Sequence, residues 1–164
     1  PSGKFYSVNP IELLWRAVKS NLDNYDVVIV DCPPNLGIIT LNGLRISQGY
    51  IIPTIPDILS TYGIPQIVTR VREFADEIAE HIEPLGIVVT KFQSNSGVHA
   101  NVLRNLRQAK DAPVFDTIIP QANDIAAAAE HTSHSRTLKQ KYGYRGLADS
   151  YRDLAKEILA KLEN

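Results

Sequence analysis

The stretch YDVVIVDCPPNLG, residues 25–37, places four branched apolar residues before an acid and then two prolines. Val27, Val28, Ile29 and Val30 are apolar on both faces, as in a central strand of a parallel sheet, which is covered from both sides. Asp31 stands where that strand ends. A carboxylate fixed at a strand end suits Mg2+, a hard cation that takes oxygen ligands and keeps several waters between itself and the protein. The same acid also serves to cap a following helix or hold a loop, and the pattern alone leaves both readings open. Pro33 and Pro34 withhold two backbone donors and stiffen the exit from the strand, while Asn35 and Gly37 permit a tight turn into the next helix.

Working outward, Asn9, Pro10 and Glu12 form a helix start: a capping side chain, a proline at the first helical position and a glutamate three residues after the cap. Ile11, Leu14, Trp15, Val18 and Leu22 continue at helical spacing, with Trp15 read as core packing. Downstream the alternation repeats. Residues 38–47 read as helix, 50–54 as strand, 64–82 as helix, 85–90 as strand, 98–109 as helix, 114–119 as strand, and 122–130 and 147–162 as helices. This order predicts an α/β fold, an open and mostly parallel sheet with helices on both faces and right-handed crossovers. Ligands in such sheets bind beyond the carboxyl ends of the strands. That rule selects residues 31–37, 55–62, 91–97 and 120–124 as the walls of one crevice.

The 164 residues are expected to form a single domain, long enough to bury about 70% of the unfolded surface in one core. Hydrophobic residues make up 44% and charged residues 21%, an ordinary globular balance, and the short apolar runs predict neither a membrane span nor a signal peptide. A cytoplasmic location is the resulting expectation. Cys32 is the sole cysteine, which excludes an internal disulfide and a multi-cysteine metal site. A net charge of -1 gives no global attraction to nucleic acid, so DNA binding requires a local patch. The absence of methionine and the opening PSGKFYSVNP suggest a piece of a longer or processed chain.

The motif YDVVIVDCPPNLGIITLNGL closely resembles the Walker B segment of the ParA/Soj-type deviant-Walker partition ATPases, a branch of the SIMIBI class of P-loop NTPases. Its usual form there is YD, an apolar strand, DxPPS and a helix beginning around TLNAL. GYIIPTIP at 49–56, GIVVTKF at 86–92, VFDTIIPQ at 114–121 and YRDLAKEI at 151–158 are similar to later segments of that family, in the same order. The resemblance implies a P-loop NTPase-like three-layer sandwich lacking its amino-terminal strands, with this chain as the carboxyl-terminal portion. It implies an ATP- and Mg2+-dependent ATPase that partitions plasmids or chromosomes. It further implies a homodimer when ATP is bound, non-specific DNA binding, nucleoid association, and a centromere-binding ParB-like partner that stimulates hydrolysis.

By the same resemblance, Asp31 holds Mg2+ through water, and Pro34, Thr90, Lys91, Phe92, Pro120 and Gln121 belong to the nucleotide site. The family's lysine-bearing Walker A loop has no counterpart here, since Gly3-Lys4 is too short for a phosphate loop. No catalytic residue is therefore assigned, and the chain by itself is expected not to hydrolyse ATP. Asn35 replaces the common serine, and Gln121 stands where many members carry arginine.

Arg104 and Arg107, with Lys110, form a basic stripe at helical spacing, and Lys139, Lys141 and Arg145 lie among Tyr142 and Tyr144. Both groups suit a phosphate backbone, and both also read as solvated surface. His131 and His134 lack a third metal ligand. The last helix balances its charges, unlike a basic membrane tail, so no membrane partner is expected. The rival readings are a related cargo-positioning ATPase and a non-catalytic, Rossmann-like interaction or dimerisation module.

Overall fold

The computed structural model describes residues 9–122, 137 and 146–163. These fall into two compact units, one running up to Tyr50 and including Thr69–Glu83, the other comprising Ile51–Val68 and the described residues from Pro84 onward.

In the first unit the Asn9 side chain accepts the Ile11 N–H at 3.2 Å, as the N-cap reading requires. A 3-10 turn, Pro10–Glu12, leads into α1, Leu13–Val18, and a second turn, Leu22–Asn24, follows. Helical structure is thus shorter and more broken than the apolar spacing suggests. Glu12 bonds Arg16 one turn on, at 2.8 Å, instead of returning to the cap. Trp15 is not core. It is 37% exposed, and α1 buries no residue.

Residues 27–30 also depart from expectation. They form no ladder with any described residue, and Val27, Val28 and Ile29 are 41%, 48% and 88% exposed. Apolar patterning marks a segment able to be a strand, but a strand exists only when neighbours complete its hydrogen bonds. The helix beyond, α2, spans Ile38–Arg45. Asn42 on α2 is buried and joins three backbones: its Oδ1 accepts from Leu14 N–H at 3.1 Å, and its Nδ2 donates to the Pro10 and Ile38 carbonyls at 2.7 and 2.9 Å. Arg45 pairs with Glu80 at 2.8 Å.

Two strands, β1 (Gly49–Thr54) and β2 (Glu83–Val89), are hydrogen-bonded neighbours. Their register advances in one direction, from Glu83 N–H on the Gln48 carbonyl to Thr90 N–H on the Thr54 carbonyl, so the pair is parallel. Residues 86–89 of β2 are all buried, the continuous burial of a strand covered on both faces. Residues 114–120 continue the sheet through parallel bridges, Ile87 with Val114 and Phe92 with Pro120, rather than a full ladder.

The helix α3 spans Ile58–Glu77, longer at its start and shorter at its end than residues 64–82. Asp57 explains the early start, because its Oδ1 accepts the Ser60 N–H at 2.8 Å as a cap. Pro65 then lies inside the helix instead of opening it. The end is a Schellman turn: Glu80 N–H reaches the Ala75 carbonyl, Ala79 N–H reaches that of Asp76, and Ala79 takes φ 54°. Next, α4 spans Gly97–Gln108, capped by Ser96, and α5 spans Leu147–Leu162. Val88, Phe115 and Ile119 form a buried cluster against which Leu85, Tyr151, Leu154 and Ile158 pack. Glu157 of α5 accepts the backbone N–H groups of Asp116 and Thr117, each at 2.8 Å, as well as the Thr117 hydroxyl. The result is the parallel α/β architecture expected. No described helix is long and apolar enough to cross a membrane.

Candidate functional site

In the first unit Asp31 is exposed at the start of a stiffened turn. Asn35 N–H donates to the Pro33 carbonyl at 2.7 Å, Asn35 Oδ1 accepts from Gly37 N–H at 2.9 Å, and Thr40 Oγ1 donates to the Pro33 carbonyl at 3.3 Å. These bonds fasten the turn to the beginning of α2. Pro34 lies exposed on it. The approach between residues 30–32 and α2 is close at Gly43, where a Cβ would stand 2.8 Å from Cys32 Sγ and 3.2 Å from Val30 Cγ1. Burial, reinforced by the Asp31 charge, pushes the Cys32 thiol up, which suits an unreactive small hydrophobe.

Asp31 makes no ion pair with a described residue, and no three His, Cys, Asp or Glu among the described residues converge on a metal position. A single exposed carboxylate on a rigid turn fits a cation held through its own water shell, and does not fit a direct multi-ligand site.

The second unit brings Thr90, Lys91, Phe92, Pro120 and Gln121 together at the carboxyl end of β2. Thr90 donates from N–H and Oγ1 to the Thr54 carbonyl at 2.8 and 3.2 Å. Phe92 N–H donates to the Ile119 carbonyl at 3.1 Å and its carbonyl accepts from Gln121 N–H at 2.9 Å. Gln93 and Gln121 join side chains, amide to amide. Lys91 holds φ 52°, a left-handed conformation that a β-carbon disfavours and that persists where surrounding bonds over-determine it. Its side chain is exposed.

Thr54 and His99, which the sequence reading did not select, and Ile55, Asp57 and Ser60, which lie in the selected segment 55–62, complete this edge. Thr54 Oγ1, Ser60 Oγ and the Ile55 carbonyl form a hydrogen-bonded cluster, with Ser60 Oγ 2.9 Å from Asp57 Oδ1. The backbone and side-chain bonds from Ser60 hold the Asp57 carboxyl below its ordinary range. The spacing of Asp57 and Ser60 is a capping signal visible in the sequence. His99, whose Nδ1 accepts the Gln93 N–H at 3.1 Å, left no such signal.

Arg104 and Arg107 are exposed on α4, with Arg107 in its last turn and Lys110 beyond its end. Lys139, Lys141, Arg145, His131 and His134 lie outside the described residues.

A family model described as an AAA domain matches residues 6–84. The sporulation initiation inhibitor protein Soj of Bacillus subtilis is 29% identical over 147 residues, 90% of this chain and 57% of Soj. The chromosome-partitioning ATPase Soj of Thermus thermophilus is 28% identical over 86% of this chain and 55% of its own length. The chain thus spans about half the length of these curated relatives. Among solved structures, cobyrinic acid a,c-diamide synthase from Mycobacterium smegmatis, with bound ADP and magnesium, superposes with a TM-score of 0.73 at 25% identity, covering 97% of this chain and 56% of that one. Sequence and fold agree: the chain is similar to the Soj partition proteins and shares the fold of cobyrinic acid diamide synthase, a likeness that supports a ParA/CbiA-like P-loop ATPase family.

Proposed function

We propose that this chain is part of a ParA-type partition ATPase that binds ATP with Mg2+ and, in that state, dimerises and holds DNA without sequence preference. The observation that carries the reading is the Soj similarity along 90% of the chain, which includes both the Asp31 turn and the strand-end residues 90–92. In this reading Asp31 orients water bound to Mg2+, and the ion supplies charge neutralisation at the phosphates. Thr90, Lys91, Phe92, Pro120 and Gln121 wall the base side, with the Thr90 and Phe92 backbone bonds fixing the distance between the two strand ends.

The homodimer draws support from the exposed apolar residues Ile55, Ile58, Leu59, Tyr62 and Val98, at 41%, 62%, 78%, 69% and 50% exposure, beside the base-side loops. Arg104 and Arg107, with Lys139, Lys141 and Arg145, supply the DNA contacts. A ParB-like protein is the proposed stimulating partner. The likeness to cobyrinic acid diamide synthase favours a second reading, an ATP-dependent synthase acting on a small molecule.

The test is DNA retention by the full-length protein with and without ATP and Mg2+, at graded salt. Partition function predicts ATP-dependent retention, lost in Asp31→Ala, with a salt slope that falls when Lys139, Lys141 and Arg145 are replaced by alanine. Retention unchanged in Asp31→Ala refutes the Mg2+ role. No retention under any condition favours the synthase.

A further inference from the structure

The loop joining β2 to α4 is held by an unusual acceptor. Gln93 N–H donates to the His99 imidazole Nδ1 at 3.1 Å, and His99 N–H in turn donates to Ser96 Oγ at 3.3 Å. Phe92 and His99 lie with ring centroids 6.0 Å apart and planes at 51°. A ring nitrogen accepts a hydrogen bond only while it carries no proton, so the bond to Gln93 requires neutral imidazole with its hydrogen on Nε2. Protonation sets an N–H on Nδ1 against the Gln93 N–H, donor against donor. Asp57, in the segment leading into α3, interacts with His99 through its charge, and Lys91 is the charged residue of the 91–96 loop itself.

We propose that His99 is the positioning residue of the 91–96 loop, fixing it through Nδ1 when neutral and releasing it when protonated. The inference rests on the reading of that loop as the base-side wall of a nucleotide site. Left-handed Lys91 makes the release consequential, because its conformation is maintained by the bonds that follow it, at Phe92 and Gln93.

The test follows the Gln93 backbone amide by NMR between about pH 8 and pH 5, the range in which histidine titrates. Binding of a fluorescent ATP analogue with Mg2+ to the full-length protein is measured over the same range. Wild type is compared with His99→Asn, which offers a non-titrating amide oxygen, and His99→Phe, which keeps a ring against Phe92 and removes the acceptor. In wild type the Gln93 amide signal moves upfield on acidification, and analogue affinity falls about three- to tenfold, the effect of one hydrogen bond. His99→Asn binds with flat pH dependence, and His99→Phe binds weakly throughout. A Gln93 signal that is static in wild type, or that titrates equally in His99→Asn, overturns the proposal. So does a titrating Gln93 signal with constant analogue affinity. If none of the three proteins binds the analogue at any pH, the nucleotide reading falls instead, and the Gln93 signal alone decides the loop switch.

Discussion

The position of Asp31 depends on how closely residues 30–32 lie against α2, and Gly43→Ala measures that closeness. A Cβ at residue 43 meets Cys32 Sγ at 2.8 Å, Val30 Cγ1 at 3.2 Å and Val30 Cβ at 4.0 Å. Two effects compete. Alanine in a helix interior is favoured over glycine by about 1 kcal/mol. Overpacking costs about 1–3 kcal/mol, and here the stiff β-branched Val30 limits relief while Cys32 has a single side-chain torsion to turn. The contact therefore wins, with a net loss of about 1 kcal/mol.

Cys32→Ala removes the nearer obstacle. In that background Gly43→Ala becomes neutral or stabilising, so the double-mutant cycle shows favourable coupling of about 1–2 kcal/mol. Urea unfolding followed by far-ultraviolet circular dichroism resolves this, since 1 kcal/mol moves the midpoint by about 0.5 M at a slope of about 2 kcal/mol per molar. Additivity within about 0.4 kcal/mol, or a Gly43→Ala protein stabilised by its full helical gain, refutes the close approach.

The same unfolding assay checks four further substitutions. Gly86 holds φ 157°, and a Cβ there would lie 2.7 Å from Phe115 Cε2 and 3.0 Å from the Pro113 carbonyl oxygen. Gly86→Ala therefore loses about 2–4 kcal/mol, whereas Gly63→Ala gains about 1 kcal/mol; a Cβ at residue 63 meets nothing within 4 Å. Ala79→Gly relieves the left-handed residue of the α3 terminus and stabilises by about 1 kcal/mol; a loss there contradicts the Schellman geometry. For Glu157, burial pushes the carboxyl up, but the Thr117 hydroxyl, the Asp116 and Thr117 amides and Lys161 hold it below its ordinary value of 4.5. A depressed carboxyl contributes stability above its unfolded value and loses it as pH falls through the folded one, so acidification below about 4.5 weakens this contact. Glu157→Gln loses about 1–2 kcal/mol at neutral pH and flattens that acid dependence, and an unchanged acid profile counts against the assignment.

What could be read in the sequence was local. The apolar runs of β1 and β2 and the periodicities of α2, α4 and α5 lie close to their observed bounds, since burial on one face or both leaves its mark within each segment. The strand-end rule selected the segments holding Lys91, Phe92, Pro120 and Gln121, and the family resemblance added Thr90; these residues stand together at the carboxyl end of β2. The limits of α3 were obscured for opposite reasons. Pro65 imitates a helix start that the Asp57–Ser60 cap overrides, and Ala79 occupies a position where glycine would have announced the end. Trp15 and Val27–Ile29 have the composition of a core but not the burial, because composition does not supply a packing partner.

The contacts that sequence reading missed, Asn42 to three backbones, Glu157 to the 116–117 backbone and His99 to Gln93, share one property. Each joins a side chain to a backbone group whose orientation is set by the surrounding fold. Such bonds have no sequence period, yet at this site they determine where the legible residues stand. Asp31 depends on the turn fastened to α2, and Lys91 on the bonds at Phe92 and Gln93. Those dependencies are separate: Gly43→Ala perturbs the first within its own unit, and His99→Phe the second. Nucleotide binding that weakens in Gly43→Ala supports the Mg2+ role proposed for Asp31, and binding that weakens in His99→Phe supports the base-side role proposed for the 91–96 loop, so each locus is tested on its own.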